Sequence, residues 1–214
     1  MRTKTLILAA ALTAAGIASS LAQSNVYSLN VVGYVNIPVP ANTKLLIANQ
    51  LNTTNNTIGS LLQNPVIPAG AQLFKFNAGY TPYTMDEFDL TWSPNASATL
   101  NPGEGAFFIS PSATTITFVG EVLQGSLTNT LPAGIKVVRS SIVPQAGTLP
   151  ALGVPGEAGD QAFLWSGGFT PYTFDEFDLS WTPSVPSVGV GQSFFYTKAA
   201  AGTQTQWIRN FTVN

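Results

Sequence analysis

The sequence contains no cysteine and no histidine. Without them, neither a Ser-His-Asp nor a Cys-His catalytic arrangement can be built. The usual zinc and haem ligand sets are missing as well, and no disulfide can form even in a compartment that allows one. Charge is also scarce, at 8% of the chain. The polar surface must therefore come from Thr, Ser, Asn and Gln, not from the Glu and Lys that coat exposed helices. Clustered Lys and Arg, which nucleic-acid phosphates require, are absent. Beyond residue 22 there are six basic residues (Lys44, Lys75, Lys136, Arg139, Lys198 and Arg209) against ten acidic ones, a formal net charge of −4. With 19 Gly and 15 Pro, such a composition suits strands and turns. Stability must come from core burial, for which a chain of this length is ample.

The N-terminus carries a recognisable export pattern. Arg2 and Lys4 supply the basic start, residues 6–15 form a short apolar stretch, and Ser20-Leu21-Ala22 offers small residues at a cleavage site. This predicts a signal peptide over residues 1–22 and a mature protein that is exported: periplasmic, at the cell surface or extracellular. No later stretch is long and apolar enough to form a transmembrane helix. Residues 131–135, LPAGI, begin like a sorting signal but do not complete one.

The strongest signal is an internal repeat. Residues 81–92 read TPYTMDEFDLTW and residues 170–181 read TPYTFDEFDLSW, differing only at Met85/Phe174 and Thr91/Ser180. Upstream, AGAQLFKF (69–76) aligns with AGDQAFLW (158–165), and VPANTKLLIANQL (39–51) with LPAGIKVVRSSIV (131–143). Downstream, PGEGAFF (102–108) aligns with VGQSFF (190–195). The repeat is too long for a solenoid unit, so each copy is a small domain or half of one. We expect copies over residues 23–122 and 123–214, packed together around a shared pseudo-twofold, because no Pro/Ser-rich linker separates them.

Within each copy the segments are short. Residues 44–48 and 136–138 are apolar runs, read as buried strands. Residues 57–62 suit one helical turn with Asn or Thr as its cap. Residues 72–77 alternate, and 81–85 return as the second strand of a hairpin after the Ala78-Gly79 turn. Further strands are expected at 107–109 and 116–119. The fold class is all-β: two tandem, homologous sandwich or barrel-like modules packed together, each with one short helical turn.

An apolar run after a turn, an aromatic strand, a Trp, and then Pro102-Gly103-Glu104-Gly105 followed by aromatics together resemble a widespread surface repeat of bacteria and archaea. That repeat opens GWNLI-like and closes PGKGYWV-like. Residues 42–44 depart from its opening, since the Gly-Trp pair is absent. The phrases NVVGYVN (30–36), FVGEV (118–122) and RNFTVN (209–214) also resemble secreted two-repeat proteins of verrucomicrobial-type bacteria. The resemblance covers nearly all of the mature chain and implies a secreted all-β protein. It implies no particular activity.

Two constellations bear on chemistry. Asp86, Glu87 and Asp89 recur as Asp175, Glu176 and Asp178. Three carboxylates within four residues repel one another unless solvated or bridged by a cation. Calcium takes such oxygen ligands, although the spacing is not that of an EF-hand. The alternative is a solvated hairpin loop with its Phe and Leu packed inward. No other cofactor is expected. Glu104 and Glu121 complete the carboxylates open to glycosidase chemistry, but Gln192 stands opposite Glu104, and duplicated motifs fit structure or bivalent binding better than one catalytic centre. The second constellation is aromatic. Tyr80, Tyr83 and Trp92, with Phe169, Tyr172 and Trp181, can stack on sugars if exposed, or build the core if not.

The sequence therefore predicts a non-enzymatic structural or assembly protein of the cell exterior, with a glycan- or partner-binding module as the alternative. The terminal strands admit two arrangements: pairing inside one molecule, tying the two copies together, or completing a sheet in a neighbour, which gives self-association. Tyr27, Leu29 and Val31 alternate at one end, and Trp207, Phe211 and Val213 at the other, with little charge to guard either edge.

Overall fold

The structure is a computed structural model that describes residues 31–213 apart from residue 64. The expected export signal and most of the expected opening strand, Tyr27 and Leu29 included, lie outside the described residues. Strand β1 (Val32–Val39) pairs antiparallel with β7 (Thr114–Glu121) along its whole length, Val32 opposite Glu121 and Val39 opposite Thr114. Both strands alternate in burial. Val35, Ile37 and Val39 point inward with Ile116 and Phe118, while Tyr34 and Val119 point outward. That is the period-2 signature of a half-buried ribbon.

Beneath the ribbon lies a five-stranded antiparallel sheet. It comprises β2 (Leu45–Ala48), β3 (Gln72–Phe76), β4 (Tyr80–Met85), β5 (Trp92–Ser93) and β6 (Gly105–Ile109), in the order β2-β6-β3-β4-β5. Leu73, Met85, Trp92 and Phe108 meet the ribbon's inward residues in one core. The helical turn α1 (Ile58–Leu61) drops Ile58 into that core. Thr57 is its N-cap, but the hydroxyl bonds Ser60 Oγ and no backbone N–H.

The second half of the chain follows the same connectivity. Strand β8 (Gly125–Thr130) pairs with the last strand, β16 (Gln206–Phe211). A five-stranded sheet runs β13 (Trp181–Thr182), β12 (Phe169–Phe174), β11 (Gln161–Trp165), β15 (Phe194–Thr197), β9 (Lys136–Arg139). Read from β9, this is the order of the first sheet, strand for strand. The helical turn expected in each half is described only in the first. In the second half β10 (Gly147–Thr148) pairs with β14 (Ser187–Val188), and residues 149–153 follow as a turn in which Leu152 N–H donates to Thr148 O at 2.9 Å. Both terminal ribbons thus close inside the molecule: Trp207 is buried in the second core, and its indole N–H donates to Leu152 O at 2.8 Å. Among the described residues no helix is long and apolar enough to cross a membrane.

Strands β6 and β15 explain how the halves join. Their sequences, GAFFI and FFYT, are apolar without alternation, as expected of strands covered on both faces. Phe108 and Tyr196 enter the two separate cores. Phe107 and Phe195 face the other way, into a third cluster with Leu46 and Val138, against which Phe74, Phe76, Phe163 and Trp165 pack. Contacts across this layer come in matched pairs. Phe107 meets Trp165 at 5.0 Å, and Phe195 meets Phe76 at 5.1 Å. Ala48 N–H donates to Gly191 O at 2.8 Å, and Ser140 N–H donates to Gly103 O at 2.9 Å.

Backbone approaches so closely here that Gly105 leaves no room for a side chain. A Cβ on it would overlap Ser193 and come within 2.9 Å of Val138 Cγ1. Val143, Leu127 and Phe211 of the second half also pack into the first core, so the chain from Val31 onward is one compact unit.

Candidate ligand cleft between the two sheets

The joining layer is open at one end. There, Phe76, Tyr80, Lys136, Phe163, Phe169 and Phe195 line a cavity of about 350 Å³. A second cavity of about 380 Å³ shares Phe76 and Lys136 with it and adds Lys75, Thr81, Tyr83, Glu104 and Arg139. Together they form a cleft with an aromatic floor at one end and a charged rim at the other.

Each wall follows from local structure. The β3–β4 hairpin register puts Phe76 opposite Tyr80, with their rings edge to face at 5.2 Å. In the β11–β12 hairpin the same register pairs Trp165 with Phe169, at 4.9 Å. Phe169 then reaches Phe195 at 5.3 Å. These edge-to-face contacts order the rings yet leave Tyr80 50% and Phe169 46% exposed. Burial raises the Tyr80 phenol above its ordinary value, so it enters the cleft as a neutral hydroxyl.

The rim is cationic in an acidic chain. Lys136 Nζ lies over the Phe163 ring, 4.4 Å from its centre, a favourable cation–π placement. Lys75 pairs with Glu104 at 3.1 Å and also reaches Thr99 O. The Arg139 Nε–H donates to Thr130 O at 3.0 Å. Burial lowers its pKa, and the charge of Glu104 pulls it back up. Among the described residues neither Lys136 nor Arg139 has a carboxylate within salt-bridge distance. Three cations against one carboxylate leave the rim with net positive charge.

At the opposite end of the layer the two copies differ at a few aligned positions. Trp165 stands where the first copy has Phe76. Its larger ring packs on Phe107 at 5.0 Å, and its indole N–H donates to Lys44 O at 2.8 Å. Leu164, Ile47 and Gln192 replace Lys75, Arg139 and Glu104, while Lys44, aligned with Lys136, keeps its Nζ 5.0 Å over the Phe74 ring.

Of the aromatic candidates, Tyr80 and Phe169 come together on the cleft floor and Tyr83 borders the rim. Trp92 and Trp181 are core residues, and Tyr172 is half-buried. Trp92 is 3% and Trp181 4% exposed, and Tyr172 packs against the second core. The two indoles are unavailable for stacking because the β4–β5 and β12–β13 pairings turn them inward. Sequence reasoning missed Lys75, Phe76, Lys136, Arg139, Phe163 and Phe195. The available signal was the aligned difference between LFKF and AFLW.

The acidic loops differ from expectation in orientation. Asp86 Oδ1 accepts from the N–H groups of Phe88 (2.7 Å) and Asp89 (3.2 Å), and Asp175 Oδ1 from those of Phe177 (2.8 Å) and Asp178 (3.0 Å). Asp89 Oδ1 also accepts from Thr91 N–H and its hydroxyl. These bonds hold the Asp89 and Asp175 carboxyls below their ordinary pKa. Among the described residues no three acidic groups converge as a metal site would require. The Phe and Leu expected to pack inward point out: Phe88 is 96% and Phe177 84% exposed. The carboxylates bond their own turn, which swings the ring into solvent.

A second polar centre lies under the second sheet. Lys198, fully buried, meets Asp160 at 2.8 Å and Glu157 at 2.5 Å. Asp160 further accepts from Glu157 N–H and Ala199 N–H, and the Tyr196 hydroxyl lies 2.6 Å from it. Lys198 and the Gln204 N–H hold Glu157 down to about 2, while burial and Asp160 push Tyr196 up. The first copy has Ser110, Ala71, Pro68 and Phe108 at the aligned positions. Since Lys198 and Asp160 are closed off from solvent, this centre is a structural tie. No protein family, characterised protein or solved structure matches this chain.

Proposed function

We propose that this chain is an exported, non-enzymatic binding protein whose cleft between the two sheets recognises a ring-bearing, negatively charged ligand. The observation that carries this reading is the pairing of exposed Tyr80 and Phe169 with Lys136 in one cavity. Aromatic rings stack on flat apolar faces, and a cationic rim draws anions with little cost when its charges are not already paired. The basic and apolar N-terminal pattern supports export. The absence of histidine and cysteine supports a role other than triad or zinc chemistry. The terminal strands, each paired inside the molecule, favour binding over strand exchange.

The test is a binding survey of neutral oligosaccharides, uronate oligosaccharides and acidic aromatic peptides, run on the native protein, Tyr80→Ala and Lys136→Ala. Retention of the acidic ring-bearing probes by the native protein alone supports the reading. Binding that neither substitution weakens, or a preference for cationic probes, refutes it.

A further inference from the structure

The molecule carries both halves of a contact. Its surface presents two copies of an acidic loop, each with a phenylalanine almost wholly in solvent, and one aromatic cleft with a cationic rim. We propose that the occupant of the cleft is the Asp-Glu-Phe-Asp-Leu loop of a second copy of this chain. Phe88 or Phe177 enters the aromatic cavity, and the flanking carboxylates face Lys75, Lys136 and Arg139. The inference rests on the cleft being a recognition site and names its partner.

Three observations support it. First, an exposure of 96% and 84% for phenylalanines in otherwise well-ordered turns leaves their apolar surface without a partner within the molecule, and aromatic anchors entering a pocket dominate most interfaces. The cavity, about 350 Å³, holds on the order of ten water volumes, room enough for a phenyl ring. Second, the charges complement: Asp86, Glu87 and Asp89, like Asp175, Glu176 and Asp178, surround each ring with negative charge, and the cleft is the cationic part of the layer. Opposed potentials of this kind set orientation and encounter rate. Third, the loop is held in place before binding. Leu90 and Leu179 sit at φ 57° and 48°, a left-handed conformation that non-glycine residues avoid. Strain of this sort collects where recognition requires it.

Loop and cleft are different surfaces, so the contact is heterologous, closing into a ring where the rotation returns to its start and otherwise running on as an open chain. With one cleft and two loops per molecule, it builds chains that can branch.

The experiment uses size-exclusion chromatography with light scattering over a concentration series at low and high salt. Native protein is expected to grow in mass with concentration and to shrink as salt screens the rim. The double variant Phe88→Ser/Phe177→Ser lacks rings but keeps the cleft. Lys136→Glu keeps the rings but cancels the net positive charge of the rim. Each alone should associate roughly tenfold to thirtyfold more weakly. Mixed together they should form complexes, because one supplies the loop and the other the cleft. All three positions are exposed, and unchanged melting confirms folding. Native protein that stays monomeric throughout overturns the proposal, as does association undiminished in both variants, which would point to the outward face of β1 and β7 at Tyr34 and Val119. A monomer that still binds uronate oligosaccharide in a Tyr80-dependent way removes the self-docking and leaves the cleft reading intact. A monomer that binds none of the probes removes both.

Discussion

Trp92 and Trp181 occupy aligned positions in the repeat, yet their indoles have different fates. Trp92 Nε1–H donates to Leu62 O at 2.7 Å, whereas Trp181 Nε1 is buried with no hydrogen-bond partner among the described residues. Truncating either to alanine removes a large buried side chain and should cost about 3–5 kcal/mol. Replacement by phenylalanine separates the two sites. Both variants lose a similar volume, but Trp92→Phe also strands a buried carbonyl, a penalty of about 1–3 kcal/mol. Trp181→Phe strands nothing and removes an unsatisfied donor. Trp92→Phe should therefore be the less stable variant by about 1–3 kcal/mol. Urea unfolding followed by far-UV circular dichroism measures this through the midpoint, provided the slope is unchanged. Equal midpoints, or a less stable Trp181→Phe, would refute the reasoning.

Three further outcomes follow from other parts of the molecule. Lys198→Met leaves the Asp160 carboxylate buried without its cation and should cost about 3–5 kcal/mol in the same unfolding assay, while Lys198→Met with Asp160→Ala recovers part of it. Glu157 has a folded pKa depressed from 4.5 to about 2, so the stability it contributes is present above its unfolded value and lost as pH falls from about 4.5 toward 2. Thermal melts across that window should show a drop that Glu157→Gln flattens. Leu179→Gly removes a left-handed non-glycine residue whose side chain is largely exposed and should stabilise the fold by about 1 kcal/mol; an unchanged or lower melting temperature counts against strain in that loop.

The strands were legible because their patterns are local. Alternation from Gln72 to Phe76 and the unbroken apolar run at Phe107–Phe108 each report which faces are covered. The orientation of the aromatic residues was not legible. Phe88 and Trp92 lie four residues apart in one motif, and the sequence treats them alike. One enters the core through its pairing with Met85, while the other is thrown outward by an Asp86 turn that has no periodicity to read. The carboxylates suggested a cation for the same reason, since their real partners are the N–H groups of their own turn. The cleft depends on Phe76 meeting Phe195, residues 119 positions apart in the chain. Only the aligned change from Phe76 to Trp165 hinted that the two ends of the joining layer would differ.

That difference follows from having both copies on one chain. Where two identical subunits meet about a twofold axis, every substitution appears twice, and a pocket opened on one side must open on the other. Here the partners are covalently joined, with only residues 122–124 between β7 and β8, so their association is intramolecular and its effective concentration high. The interface can therefore tolerate unequal halves. Trp165 stands at one end where Phe76 lines a cavity at the other, and Arg139 supplies a charge where Ile47 supplies none. Tethering has freed one side of a symmetric contact to specialise while the other keeps the sheets together.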